Sequence, residues 1–354
     1  MINVRLDDKD LDNIKLLWSN WFFSKSRVDE LIILLDLDAV FRQMIFGTYN
    51  EFDIWKNEYI NNPNVIKRME WRKYVLRFIF DNLSDEKYVT GKYKRTINSK
   101  TKDFLLKNYE RYRATAKLAK IIHIMKIEVC PYCNRNFMEN YALKNVRGVN
   151  RYYFKGDLDH HYSKDEIPAL ALSFFNLVPS CKVCNHEKLQ STQRTFYPYY
   201  DYEDEEYHFS IELYTKDDEK DIIYEKNIED IERKRYDSTV WQGVSDNFKI
   251  KLRGVNRLQL SERMQNSNDI FHLEKKYNHS KEYVKEIIRK KYIYTEVHRE
   301  MILKNFQNIF KSEKELLETF YSYSCDGECS KNRPLSKLTK DVLNQLGVLN
   351  HEDI

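Results

Sequence analysis

The sequence predicts an α+β fold in which a short cysteine-braced core lies between a helical N-terminal region and a mostly helical C-terminal region. Three observations predict it. Apolar residues recur at helical spacing through residue 127. Two CxxC pairs, Cys130–Cys133 and Cys181–Cys184, then flank a strand-like segment. Helical spacing returns after residue 260. The regions are therefore 1–127, 128–200 and 201–354.

The N-terminal region opens with Leu11, Ile14, Trp18 and Trp21 on one face of a first helix. Ser26 to Asp29 (SRVD) looks like a capping box opening ELIILLDLDAVFRQMIF. Leu105, Tyr109, Tyr112, Ala116, Ala119 and Ile122 step by three and four, which predicts one long amphipathic helix ending just before Cys130. Trp18, Trp21, Trp55 and Trp71 are expected in the core. The middle region reads strand (NRYYFKGDLDHHY), loop, strand (LALSFFNLVPS), then a short helix from about Cys184. Residues 201–206 (DYEDEE) form an acidic linker or solvated edge, and HFSIELY and NFKIKL are strands. Leu335, Leu338, Val342 and Leu346 define a last helix, with Pro334 near its start and Gly347 past its end.

A chain of 354 residues suffices for one large core or two to three modules. Its apolar content of 42% and charged content of 32% are those of a soluble globular protein, and no run of eighteen apolar residues predicts a membrane span. The N-terminus MINVRLDDKD lacks a signal-peptide pattern, so a reducing cytoplasm is expected. The balance of 59 Lys+Arg against 55 Asp+Glu is too even to imply a polyanionic partner, so any basic surface must come from local clustering.

In a reducing compartment, closely spaced cysteine pairs favour metal over disulfides. Each CxxC knuckle supplies two thiolates from one tight turn, and two knuckles complete a tetrahedral zinc site with no open position. Cys130, Cys133, Cys181 and Cys184 are the expected ligands, and zinc is expected to brace the fold. Cys325 and Cys329 (CDGEC) have no companion ligand nearby and are expected to be free thiols, or otherwise a transient regulatory disulfide.

Between the knuckles stand DLDHHY and SFFNLVPSCKVCNHEK. Asp159–His160, Asn176–Leu177, and Asn185 and Lys188 of CNHEK, in this order with interleaved knuckles, resemble the HNH, or ββα-metal, endonuclease family over about 60 residues. The resemblance implies a zinc-braced ββα-metal core that hydrolyses phosphodiester bonds. His160 would be the general base, Asp159 and Asn185 would hold a catalytic Mg²⁺ or Mn²⁺, and Asn176 would tie the loop that orients His160. Such chemistry needs a base near neutral pH and a hard cation to take up charge on the leaving oxygen. Lys188 would either neutralise phosphate or be a solvated helix charge. His161 stands where many relatives carry an aromatic residue, and Ser163 where they carry proline. It would be either a packing or phosphate-edge residue, or a second metal ligand paired with His160. His186 should diverge from the site, and Asp157 would be a secondary charge.

The closing RPLSKLTKDVLNQLG, with CPYCN and LDH…ALSFFNLVPSCKVCN, is similar to HNH nucleases of bacterial anti-phage systems, the Septu-type and retron-associated ones. That likeness implies DNA as the favoured substrate and an ABC/SMC-like ATPase as a partner. A double-strand break would need two active sites, as in a homo-oligomer, or two events. Two other readings stand beside it: a zinc-dependent nucleic-acid-binding adaptor with an inactive core, and an RNA- or tRNA-cleaving HNH nuclease. A thiol redox protein would leave the residues between the knuckles idle. The basic–aromatic stretches at 67–78, 233–236 and 289–294 are expected to be ordinary charged helix faces rather than nucleic-acid tracks.

Overall fold

The computed structural model describes residues 2, 4–47, 52–62, 72–189, 191–199, 207–214, 237–254, 259–323 and 332–349. Cys325, Cys329, Trp71, the side chain of Trp55, the DYEDEE segment and the basic stretch at 233–236 lie outside them. No helix among the described residues is long and apolar enough to cross a membrane. The chain divides into two compact units, one of Val4–Cys130 and Phe137–Tyr200, the other of Met1–Asn3, Pro131–Asn136 and Asp201–Ile354. The N-terminal helical region and most of the middle region thus share one unit.

In the first unit, α1 (Asp8–Phe22) opens at the N-cap Asp7, and Ile14, Trp18 and Trp21 are buried on its expected face. Trp18 stacks on Phe22 at 4.6 Å, and Trp21 meets Tyr112 at 4.6 Å. The predicted capping box does not form. α2 (Lys25–Leu37) begins before Ser26, with Ser24 at its N-cap. The apolar run that follows is two helices, because the Asp38 side chain accepts from Phe41 N and caps α3 (Ala39–Phe46). α4 (Phe52–Asn61), α5 (Arg72–Ile79) and α6 (Glu86–Tyr93) follow.

The long helix expected before Cys130 is also broken. α7 (Ser99–Arg113) stops, and Thr115, whose side chain accepts from Leu118 N, caps α8 (Ala116–Ile124). A hydroxyl that satisfies a free helical N–H starts a new helix even where the apolar spacing runs on.

The predicted strand NRYYFKGDLDHHY divides at Gly156. β1 (Asn140–Lys144) pairs antiparallel with β2 (Asn150–Phe154), and β3 (Asp157–His160) pairs antiparallel with β4 (Leu177–Ser180). A Cβ on Gly156 would lie 2.6 Å from the Phe154 ring and 2.9 Å from the Ser180 carbonyl oxygen. Only glycine lets the chain turn there. Gly156→Ala is therefore expected to cost about 1–3 kcal/mol, as overpacking does, read as a lowered Tm with the far-UV spectrum retained. α9 (Lys182–Lys188) follows β4 and begins before Cys184, with Cys181 at its N-cap. The order is strand, strand, helix.

In the second unit, the two expected strands, β5 (Tyr207–Leu213) and β6 (Phe248–Gly254), pair antiparallel. The helices α10 (Glu262–Phe271), α11 (Leu273–Asn278), α12 (Lys281–Ile293), α13 (Glu296–Asn305), α14 (Glu313–Tyr321) and α15 (Ser336–Gln345) complete it. A two-stranded sheet has two bare edges, and helix side chains cover both. Asp341 and Gln345 accept from Phe209 N and Ile211 N on one edge, at 2.8 Å each. Glu274 and Asn278 accept from Leu252 N and Ile250 N on the other, at 2.9 and 3.0 Å. Arg289 and Lys290 donate to the Gly243 and Phe320 carbonyls, so part of the basic stretch at 289–294 is structural, as expected.

Candidate metal centre and catalytic cluster

Cys130, Cys133, Cys181 and Cys184 are all buried, and their Sγ atoms lie within 4.8 Å of one another. Tetrahedral zinc with Zn–S of about 2.3 Å sets its sulfurs about 3.8 Å apart, so the donor set fits such an ion. Four thiolates without a carboxylate or water favour a soft-to-borderline metal over magnesium or calcium. The cluster can therefore bind a metal such as zinc.

Local geometry makes each knuckle. Met138 N donates to Glu128 O at 2.8 Å, and Val129 and Phe137 form an isolated antiparallel bridge around the first turn. Asn134, just after Cys133, adopts the left-handed conformation (φ 47°) that asparagine tolerates. Its side-chain oxygen accepts from Lys337 N at 3.0 Å and Ser336 Oγ at 3.1 Å, while Tyr277 donates its hydroxyl to Cys133 O at 2.7 Å. In the second knuckle Cys184 N points at Cys181 Sγ, 3.5 Å away.

Asp157 and Asp159 alternate onto one face of β3, and Asn185 and Lys188 share one stripe of α9. The two elements meet in register. Asn185 Nδ2 donates to Asp157 Oδ2 at 3.2 Å, and Lys188 Nζ donates to Asp159 Oδ2 at 2.7 Å. Lys188 and Asp159 side chains are 2% and 4% exposed, so the pair is sealed from water. The same ammonium also donates to the carbonyls of His160, at 2.5 Å, and His161, at 3.2 Å. Lys188 is thus not a solvated helix charge. It neutralises Asp159 and ties down the end of β3. Breaking one partner of a buried pair leaves an uncompensated charge, at about 3–5 kcal/mol. Lys188→Met is expected to show that loss in urea unfolding. Adding Asp159→Leu is expected to recover part of it, a coupling that a double-mutant cycle measures.

His160 closes β3, half-buried. Its Nε2 donates to Ala171 O at 3.1 Å, which leaves Nδ1 as the acceptor nitrogen. Its ring lies 4.5 Å from that of Tyr109, whose hydroxyl donates to Leu158 O. Burial pushes the His160 pKa down to about 4, against the opposing pull of the Ala171 carbonyl and Asp159. The imidazole is neutral at pH 7 and competent as a base. Tyr109 and the Ala171 carbonyl were missed as parts of this cluster. Tyr109 reads in sequence as one more apolar step on a helix, and a backbone carbonyl leaves no sequence signal.

Asn176 is fully buried and joins three backbone groups. Its Oδ1 accepts from Tyr162 N at 2.7 Å, and its Nδ2 donates to Tyr162 O at 3.0 Å and Leu170 O at 3.1 Å. It fastens the chain after His160 to the turn that carries Ala171. His161 N donates to Asn176 O, and the His161 ring is buried beside Tyr162 and Tyr197. His186 is exposed on α9.

Asp159 and Asn185 carry oxygens of the kind a hard divalent ion takes, and here Asp159 is held by Lys188 while the Asn185 amide donates to Asp157. Comparison with known proteins finds no matching family model, no matching curated protein and no matching solved structure.

Proposed function

We propose that this protein is a metal-dependent endonuclease of the HNH type that cleaves DNA. The observation that carries this reading is His160: a neutral imidazole fixed by one nitrogen to Ala171 O, on the strand–strand–helix unit that also carries Asp159 and Asn185. A general base must be unprotonated at working pH and held in a single orientation; the lowered pKa and the Ala171 hydrogen bond support this, though a pKa of about 4 makes a weaker base than one poised near 7. His160 Nδ1 takes the proton from the attacking water. Asn176 holds the loop that sets the imidazole. Lys188 holds Asp159 in place.

When bound, Mg²⁺ or Mn²⁺ would supply charge stabilisation at the phosphate and the leaving oxygen. Asp159 and Asn185 are the residues that would hold it. The cysteine cluster would carry a structural zinc that holds β4 and α9 beside the first knuckle. A role as effector of an anti-phage system beside an ABC/SMC-like ATPase, in the cytoplasm, belongs to the same proposal and rests on the sequence likeness alone.

The test is purified protein with Mg²⁺ or Mn²⁺ on supercoiled plasmid, single-stranded DNA and total RNA. Nicked plasmid is the expected product, since a single ββα-metal centre cuts one strand at a time. Cleavage of RNA alone would replace DNA as substrate. No cleavage of any of the three, with or without a co-expressed ATPase partner, would sink the enzyme reading and favour the binding adaptor.

A further inference from the structure

The β1–β2 hairpin leads through Lys155 and Gly156 into β3 of the candidate site. We propose that this hairpin is a ribbon that grips duplex DNA and presents its backbone to the His160 cluster. The gripping stands on the hairpin itself; the presentation rests on the nuclease reading above.

Charge segregation is the first observation. Residues 140–155 contain Lys144, Arg147, Arg151 and Lys155 and no acidic residue. The supporting helix α8 adds Lys117 and Lys120, and residues 116–126 are also free of acids. None of these six cations forms an ion pair among the described residues, whereas Lys126 at the end of α8 pairs with Asp10 at 3.3 Å. Several other cations of the same unit are matched, among them Lys92 with Asp81, Lys94 and Arg194 with Glu166, and Lys188 with Asp159. In a chain of net charge +4, an unmatched cluster of this size marks where a polyanion sits.

Shape is the second. Residues 143–151 are all exposed. The tip is closed rather than loose: Asn145 Oδ1 accepts from Arg147 N at 2.9 Å and Val149 N at 3.0 Å, and Gly148 takes the left-handed turn position. Tyr141 and Tyr153 stack at 5.2 Å across the strands, and the Arg151 guanidinium lies 5.5 Å over Tyr153. Tyr152, on the other face, sits against His123 and under Lys120 of α8. The ribbon is therefore stiff and held from behind.

These features favour duplex DNA. The major groove admits a two-stranded ribbon, and phosphates line both its walls. The cations run along both strands and continue through Lys155 toward the site, as backbone tracking requires. A membrane anchor would need an apolar tip without charge, and Arg147 occupies this one. Val146 and Val149 at the tip are exposed and suited to thymine methyl groups.

The experiment uses the full chain and a fluorescent duplex, with no added divalent ion so that nothing is cut. Binding is followed over a salt series. The triple variant Lys144→Gln, Arg147→Gln, Arg151→Gln is expected to bind at least tenfold more weakly at moderate salt. Its log–log salt slope should fall by about 2.7, at about 0.9 for each phosphate no longer neutralised. A control triple on exposed lysines away from the hairpin, Lys9→Gln, Lys100→Gln, Lys107→Gln, should keep the wild-type slope. Unchanged affinity in the hairpin variant overturns the proposal, as does an equal loss in the control. So does tighter hairpin-dependent binding to single-stranded RNA or to anionic phosphatidylserine vesicles. Hairpin-dependent binding in a protein that cuts nothing keeps the ribbon and removes the nuclease reading. Cleavage with an unaffected hairpin variant does the reverse.

Discussion

Cys181→Ser is expected to abolish stoichiometric zinc and to unfold much of the protein. Cys130, Cys133 and Cys184 are at most 1% exposed and Cys181 is 5% exposed, so these sulfurs have no solvent to turn to. With metal, four thiolates share two positive charges. Without it, they must take up protons or repel one another within 4.8 Å. Structural zinc contributes about 10–16 kcal/mol in small zinc-dependent folds. That is comparable to the whole stability margin of a domain, about 5–15 kcal/mol. Metal analysis should return one zinc per chain for the wild type, and a strong chelator should lower the Tm steeply. Protein that contains no zinc and melts at the same temperature as Cys181→Ser would remove the brace.

His160→Ala is expected to lower phosphodiester cleavage by about 10²–10⁴-fold, the usual contribution of a positioned general base. Metal content and DNA affinity should stay near wild type, because the side chain contacts the Ala171 carbonyl and Tyr109 rather than a thiol or the hairpin. The same residue has a pH signature in stability. Its folded pKa of about 4 lies below the ordinary 6.5, so the unfolded chain binds the proton more readily. The stabilisation it contributes is complete above pH 6.5 and is lost as pH falls toward 4, on the order of 2 kcal/mol. Urea unfolding at pH 7 and pH 4.5 should show a smaller acid loss in His160→Ala than in the wild type. An identical loss would mean that His160 is not held neutral.

Much of the fold was legible. The β5–β6 pair, the last helix and the buried face of Trp18 and Trp21 followed from periodicity, because each buries one continuous apolar face. The breaks were not legible. Asp38 and Thr115 end one helix and cap the next inside unbroken apolar spacing, and Gly156 divides a continuous strand pattern. In each case a single local hydrogen bond or steric contact outweighs the pattern around it. The β1–β2 hairpin left a signal that was overlooked: an acid-free run with four cations and a central glycine.

The cysteine spacing by itself determined the metal-binding centre, because a CxxC knuckle is a local turn and its ligands need only a few residues to define them. The residue types at 159, 160, 176 and 185 were equally plain. Only the tertiary structure decided what each of them touches. Lys188 and Asp159 are 29 positions apart, and their pairing arises where the two-residue period of β3 meets the helical stripe of α9. The His160 pKa falls below its ordinary value because the ring is packed against Tyr109 of α7 and the Ala171 turn. Charge states of buried groups depend on neighbours brought together by packing, and packing is the part of the molecule that a linear pattern does not contain.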